Sequence, residues 1–289
     1  MASPREIRRR IRSVRNISQI TRAMEMVSAS KMRRAQQRVL ASRPYAERLE
    51  HMIGDLSAIQ LDGDAMADFP LLQQREIKRS AVILITPDRG LTGPLNSNII
   101  RRAARYISSE AGGTGSDVLS VGKKGRDFMV RANQNVVASY TGLGDAVTLA
   151  DLRPVTTQAI DDFVDGRVDA VHVIYARFVN TLTQVPEVRQ ILPIERPEGE
   201  GAYTDYIFEP SPREVLQSLL PRYVEIQVYQ AMLDSIASEH SARMVAMRNA
   251  SENAKDLAND LTLSLNKARQ AQITREVSEI AAGAEALKG

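Results

Sequence analysis

Between Arg222 and Ala282 the chain carries neither glycine nor proline, a run of 61 residues. A second such run extends from Arg5 to Arg43. These two residue types are the strongest local breakers of helix. Thirteen of the 16 glycines and nine of the 12 prolines fall between positions 60 and 220, so the ends of the chain are selectively free of them. At about 1.5 Å per residue the longer run spans roughly 90 Å as a helix, and the shorter one roughly 60 Å. A globule of 289 residues would have a radius of gyration of about 19 Å, hence a diameter of roughly 50 Å. The C-terminal helix is therefore predicted to outrun any globule this chain can form. Its apolar stripe needs cover, and the N-terminal helix, as an antiparallel partner, is long enough for only part of it. The tip, from about Leu261 to Leu287, needs cover from elsewhere.

Local signals support both helices. Ile7, Ile11, Val14, Ile17, Met24 and Val27 recur every three or four residues, the spacing of one helix face. Ser3-Pro4-Arg5-Glu6 reads as a start: Ser3 as the N-cap, Pro4 at the first helical position, Glu6 completing a capping box. The same four letters recur at Ser211-Pro212-Arg213-Glu214, and Pro221 beyond them is predicted to kink the helix or restart it. From Ile226, Tyr229, Leu233 and Ile236 the C-terminal stripe runs through Met244, Met247, Ala254, Leu257, Leu261, Leu265, Ala268, Ile273, Val277 and Ile280 to Leu287. Spacings of three and four suit a coiled coil.

The middle alternates. Strand patterns at 79–86, 117–121, 135–140, 170–175 and 184–192 are separated by helical patterns at 96–109, 124–132 and 149–164. That order predicts βαβ units and a largely parallel sheet. The expected fold class is thus α/β: a Rossmann-like domain over 61–210, flanked by coiled-coil helices over 1–60 and 211–289.

An α/β domain invites a catalytic reading, and the residues give it little support. Thr86-Pro87-Asp88-Arg89-Gly90-Leu91-Thr92-Gly93-Pro94 follows the first strand but lacks the dinucleotide-binding glycine spacing, and Gly122-Lys123-Lys124-Gly125 is no P-loop. A tight strand-to-helix turn explains both. His51, His172 and His240 have no ligand-spaced companions, and His172 reads as a core or sheet-face residue. Asp161, Asp162 and Asp165 read as helix surface. Cysteine is absent, which removes disulfides and thiol chemistry. No apolar run is long enough for a membrane span, and no secretory signal pattern opens the chain. The formal charge is only +3, but residues 1–50 hold 13 Lys/Arg against 4 Asp/Glu. Arg5, Arg8, Arg12, Arg15 and Arg22 share one helix face, which suits nucleic acid, a membrane surface, an acidic protein or plain solvent. Six of ten methionines lie on the two long helices, as seam filler or as a surface that packs against several partners in turn. An enzyme and a nucleic-acid tether remain as readings, and neither accounts for a C-terminal helix that outruns its partner.

Three stretches resemble signatures of one family. Residues Ile20-Thr21-Arg22-Ala23-Met24-Glu25-Met26-Val27-Ser28-Ala29-Ser30-Lys31-Met32, the run from Ser238 to Ala250, and that from Asn266 to Glu276 closely resemble the gamma subunit of bacterial F-type ATP synthases. Asp88-Arg89-Gly90-Leu91 and Gln190-Ile191-Leu192-Pro193 fit as well, so the resemblance covers the whole chain in order. It implies a central rotor shaft that couples proton-driven ring rotation to sequential change in the beta-subunit catalytic sites and is not catalytic itself. Its implied partners are the alpha and beta subunits, the epsilon subunit and the membrane c-ring, with one copy per complex and no nucleic acid. The implied location is the cytoplasmic face of the bacterial plasma membrane, peripherally. No cofactor or metal is implied on this chain; ATP, ADP and Mg belong to alpha and beta. Motif matching places Arg22, Met24, Lys31, Arg243, Gln270, Thr274 and Glu276 against the alpha–beta hexamer. Leu261, Leu265, Ile273, Val277, Ile280 and Leu287 become the apolar shaft tip, and Tyr206, Phe208 and Glu209 the side facing ring and epsilon.

Overall fold

The computed structural model describes residues 3–60, 69–111, 115–195 and 209–286. The chain divides into two compact units: Ala29–Arg243, and Met1–Ser28 together with Met244–Gly289. Two helices run through both, α1 (Pro4–Gln60) and α5 (Pro212–Ala286). Each starts where its capping residues stand. The Glu6 amide donates to Ser3 Oγ at 3.3 Å, and the Glu214 amide to Ser211 Oγ at 3.3 Å.

The Ala29–Arg243 unit is built on a five-stranded sheet in the order β3-β2-β1-β4-β5. The strands are β1 (Arg79–Ile85), β2 (Gly115–Val121), β3 (Asn135–Tyr140), β4 (Ala170–Phe178) and β5 (Gln184–Leu192). The first four are mutually parallel, and β5 closes the edge antiparallel to β4. The connections are α2 (Leu95–Arg105, followed by a π turn at Tyr106–Glu110), α3 (Lys123–Arg131) and α4 (Leu149–Val164). The alternating signals of the middle segment thus correspond to the observed elements, apart from the π turn that ends the second helix.

Central strand β1 shows why the sheet is covered on both faces. Ala81, Ile83 and Ile85 join a core with Leu152, Val155, Ala159 and Phe163 of α4, while Val82 and Leu84 join another with Leu95, Ile99 and Ala103 of α2. A strand buried on both sides reads as a continuous apolar run, as this one does. The α4 face also receives Ile53 and Leu56 of α1 and Leu216, Leu220 and Val224 of α5, each 0–2% exposed. The inner stretches of the terminal helices are therefore part of this core, rather than meeting wholly outside the domain. The same burial bears on Pro221, where a kink or a restart is expected: the helix does not restart. α5 passes through Pro221 as one helix. Proline leaves the Gln217 carbonyl without its intrahelical donor, but Leu216, Leu220 and Val224 around it hold the helix by packing.

In the other unit, α1 and α5 run antiparallel. Ser18 Oγ lies 3.3 Å from Ser251 Oγ, and Arg248 Nε donates to Glu25 Oε1 at 2.9 Å. The inward row of α1 is Ile7, Ile11, Val14, Ser18, Thr21, Glu25 and Ser28, with steps of four and three throughout. The facing row of α5 is Met244, Met247, Ser251, Ala254, Ala258, Leu261, Leu265 and Ala268. A strict seven-residue repeat of this kind imposes left-handed winding. Expectation erred here in detail. Ile17 and Val27 point outward, 49% and 55% exposed, as does Leu257 at 48%. The apolar reading followed hydrophobicity, whereas the seam follows the heptad and accepts Ser18, Thr21 and Ser28 because small residues let the backbones approach.

Candidate functional site

In an open doubly wound sheet, ligands bind at the carboxyl ends of the strands where the chain order reverses. Here that point lies between β1 and β4. The loop after β1 and the start of α3 occupy each other. The Lys123 amide donates to Asp88 Oδ1 at 2.8 Å, the Gly125 amide to Thr86 Oγ1 at 2.8 Å, and the Lys124 amide to the Pro87 carbonyl at 3.2 Å. The Gly142 amide takes the other Asp88 oxygen at 2.9 Å. These helix-terminal amides would otherwise form a phosphate cradle. Gly122, at φ +101°, packs against the Thr86 carbonyl so closely that a Cβ would overlap its oxygen.

Helix α5 lies over the same edge. Ser238 Oγ donates to the Ala176 carbonyl at 3.0 Å, Ser241 Oγ to the Thr181 carbonyl at 2.7 Å, and Arg243 Nη2 to the Gly90 carbonyl at 3.3 Å. Ser238 and Ser241 are both fully buried. The position that carries a ligand in a nucleotide-binding relative of this topology thus holds the chain's own helix.

Beside it is a charged cluster. Asp145, in the loop between β3 and α4, accepts from Lys31 Nζ of α1 at 2.6 Å and pairs with His240 Nε2 of α5 at 2.9 Å. Its main-chain oxygen accepts from Arg38 Nη1 at 2.7 Å. Arg243 bonds Glu239 at 2.6 Å and reaches His240 Nδ1 at 3.5 Å. These partners fit an imidazole that carries its hydrogen on Nε2. Burial raises the Asp145 carboxyl, but hydrogen bonds from Lys31 and His240 outweigh it and hold the group below its ordinary value. On the α2 side of the sheet, burial pushes His172 down to about 4. Its ring lies tilted at 47° to that of Tyr106, 5.0 Å between centroids, and its Nδ1 has no partner, as fits a core histidine rather than a ligand. No three metal-binding side chains cluster among the described residues.

The residues matched by motif separate into two groups. Lys31 and Arg243 belong to the cluster just described. Arg22, Gln270, Thr274 and Glu276 are exposed, and Met24 is half-exposed next to seam residue Glu25. Thr274 Oγ1 donates only to the Gln270 carbonyl of its own helix, and Glu276 accepts from Gln272. Of the tip residues, Leu261 and Leu265 are partly covered, whereas Ile273, Val277 and Ile280 are 54%, 60% and 73% exposed. Every residue from Arg269 to Gly283 is exposed. Glu209 is exposed just before α5; Tyr206, Phe208 and Leu287 lie outside the described residues. The basic face of Arg5, Arg8, Arg12, Arg15 and Arg22 is solvated throughout. Asp145 and His240, the centre of the cluster, were not reached by sequence reasoning. Asp145 belongs to no motif, and His240 stands within the Ser238–Ala250 signature with no role assigned to it beyond a metal ligand set that lacks companions.

A family model described as ATP synthase matches residues 3–287. The chain is 58% identical over 290 residues to the ATP synthase gamma chain of Roseiflexus castenholzii, covering 99% of each. It is 55% identical over 289 residues to that of Chloroflexus aurantiacus, again covering 99% of each. Among solved structures it is similar to a chain of the Tetrahymena thermophila mitochondrial ATP synthase central stalk/c-ring. The TM-score is 0.63 at 26% identity, covering 80% of this chain and 99% of that one. A chain of the Euglena gracilis mitochondrial ATP synthase OSCP/F1/c-ring structure shares the fold, with a TM-score of 0.69 at 19% identity and 98% and 94% coverage. On identity and coverage together, the chain belongs to the ATP synthase gamma chain family.

Proposed function

We propose that this chain is the central rotor shaft of a proton-translocating F-type ATP synthase and does no chemistry of its own. Rotation of the membrane ring turns the sheet-bearing unit, and the two-helix unit changes the beta-subunit sites in sequence. A shaft can shift a catalytic subunit only by making different contacts in different orientations. The two-helix unit has a surface suited to this. The observation that carries the reading is its inverted polarity: Ser18, Thr21 and Ser28 lie in the seam, while Ile17, Ile20, Met26 and Val27 face outward, 49–62% exposed. Solvent alone does not favour that arrangement. The bare row Ile273, Val277 and Ile280 extends it, and a sleeve of alpha and beta subunits would cover both. The arginine face beside them suits acidic segments on beta.

The chain binds no nucleotide in this reading; the amides and crevice that would hold one are engaged by Asp88, Thr86 and α5. Epsilon and the c-ring meet the sheet-bearing unit. The whole sits peripherally at the cytoplasmic face of the membrane, and no described helix is long and apolar enough to cross one.

Affinity isolation of the tagged chain from gently solubilised membranes, followed by ATPase assay and subunit identification, tests this. Alpha, beta, epsilon and ring subunits in one ATP-hydrolysing complex are expected. A chain recovered alone, from membranes whose ATPase stays behind, would refute the proposal. Within such a complex, Met24→Lys is expected to keep ATP hydrolysis and lower proton pumping per ATP, because a new cation seeks an acidic partner on beta. Wild-type pumping per ATP would remove Met24 from the contact surface.

A further inference from the structure

The cluster around Asp145 joins three separate parts of the Ala29–Arg243 unit. Lys31 is the third residue of that unit along α1, and Arg243 is its last along α5. Both helices continue beyond these residues as the coiled coil. We infer that Asp145 is a clasp, which fixes the angular register of α1 and α5 against the sheet at the point where torque leaves the sheet-bearing unit. This rests on the rotor reading and adds a positioning residue to it.

The geometry supports a clasp rather than an incidental surface pair. One aspartate receives from both helices, with its carboxylate oxygens divided between Lys31 Nζ at 2.6 Å and His240 Nε2 at 2.9 Å. Its own carbonyl takes a third bond from α1, through Arg38. The His240 side chain is only 3% exposed, so its bond to Asp145 is shielded from water on one side. Behind it Arg243 ties the same turn of α5 to the loop after β1, through Gly90, while Ser238 and Ser241 tie it to the end of β4 and the loop beyond. Apolar packing resists separation of the helices but resists sliding or turning weakly, because it is non-directional. Directional bonds from one loop to two helices supply the missing resistance. The assignment also changes the reading of Lys31 and Arg243. Both are bonded within their own chain, so their effect on coupling passes through Asp145 and His240.

The test uses the complete ATP synthase carrying Asp145→Ala, Lys31→Ala or both, in inverted membrane vesicles. Asp145→Ala is expected to leave ATP hydrolysis near wild type and to lower acidification per ATP hydrolysed by up to about fivefold, the range open to partly exposed ion pairs. Lys31→Ala is expected to lower it less. The double variant should match Asp145→Ala, because the bond that Lys31→Ala removes is already lost in Asp145→Ala. Effects that multiply in the double variant would place Lys31 on a partner and overturn the clasp. So would wild-type coupling in Asp145→Ala. If Asp145→Ala does not assemble, Asp145→Asn, which keeps the shape and an acceptor, is measured in its place. Hydrogen exchange on the full-length chain provides an arm independent of the rotor reading. Amides of the 141–148 loop and of α5 near His240 should exchange faster in Asp145→Ala, and unchanged protection would overturn the clasp even if the complex proved to be something else. Faster exchange with no ATP-hydrolysing complex would uphold the bonding while refuting the rotor reading and the torque role together.

Discussion

Asp234→Asn is expected to stabilise the protein near neutral pH and to lose that advantage in acid. Asp234 projects from α5 towards a crowded charge cluster on β4 and β5. Arg177 bonds Glu187 at 2.5 Å, Arg189 bonds it at 3.0 Å and lies 5.5 Å over the Tyr175 ring, and the Tyr175 hydroxyl donates to it at 3.0 Å. Two of the three arginines that act on Asp234, Arg177 and Arg189, are thus already bonded to Glu187. Burial, aided by the Glu187 charge and opposed by Arg189, Arg43 and Arg177, pushes the Asp234 carboxyl from 3.8 up to about 6. A raised carboxyl contributes stability that is complete below the unfolded value of 3.8 and is lost as pH rises through about 6. Converted at about 1.4 kcal/mol per pH unit, the gap sets a ceiling of about 3 kcal/mol on what ionisation removes at neutral pH. Residual solvent contact lowers this, so about 1–3 kcal/mol is expected for the neutral isostere. For a domain of this size that is worth about 2–4 °C in Tm per kcal/mol. Thermal unfolding of the full-length wild type and Asp234→Asn at pH 7.5 and pH 4 measures the difference. A higher Tm for the variant at pH 7.5, mostly gone at pH 4, is expected. An equal difference at both pH values, or a less stable variant at pH 7.5, would refute the assignment of burial as the dominant cause.

Other expectations follow from the same packing. His172, held down to about 4 by burial, is neutral when folded but gains a proton near 6.5 when unfolded. Stability should therefore fall as pH drops from 6.5 towards 4, by up to about 3 kcal/mol, and denaturant titrations of His172→Leu should show a shallower acid loss. Ile11→Ser, at 7% exposure in the seam, should cost about 2–4 kcal/mol. Ile20→Ser, at 59% exposure, should change stability by no more than about 0.5 kcal/mol yet weaken assembly with alpha and beta, as read by co-purification. Gly122→Ala meets both a positive φ and the Thr86 carbonyl, so a loss of about 3 kcal/mol or more should show in Tm and in soluble yield.

The secondary structure was readable because its signals are local. Ser3 and Ser211 cap helices through bonds to residues only three positions on, and the run Ala81–Ile85 is apolar because β1 has a helix layer on each face. α4 and β5 were foreseen with their observed ends, Leu149–Val164 and Gln184–Leu192. The reading failed where a neighbour outweighed the local rule. Of the two outcomes expected at Pro221, a kink or a restart, the restart does not occur, because residues on either side of it are held in a core assembled from distant segments.

The candidate site was less legible. Lys31 and Arg243 stood out through family words, but the aspartate that bonds Lys31, and meets Arg243 only through His240, is 114 positions from one and 98 from the other. Nothing local marks Asp145, which gains its role only when the loop after β3 folds next to α1 and α5. Ile17 and Val27 carry the same lesson. Their apolar character was plain, but the face they occupy is set by how the partner helix winds. The sequence determined that this chain would have two long terminal helices, an α/β middle and no evident phosphate loop, because propensity, capping and periodicity act over a few residues. The tertiary structure alone determined which helix face is the seam, what fills the carboxyl edge of the sheet, and which charges meet there. Those outcomes depend on contacts between residues far apart in the chain, whose geometry no local pattern encodes.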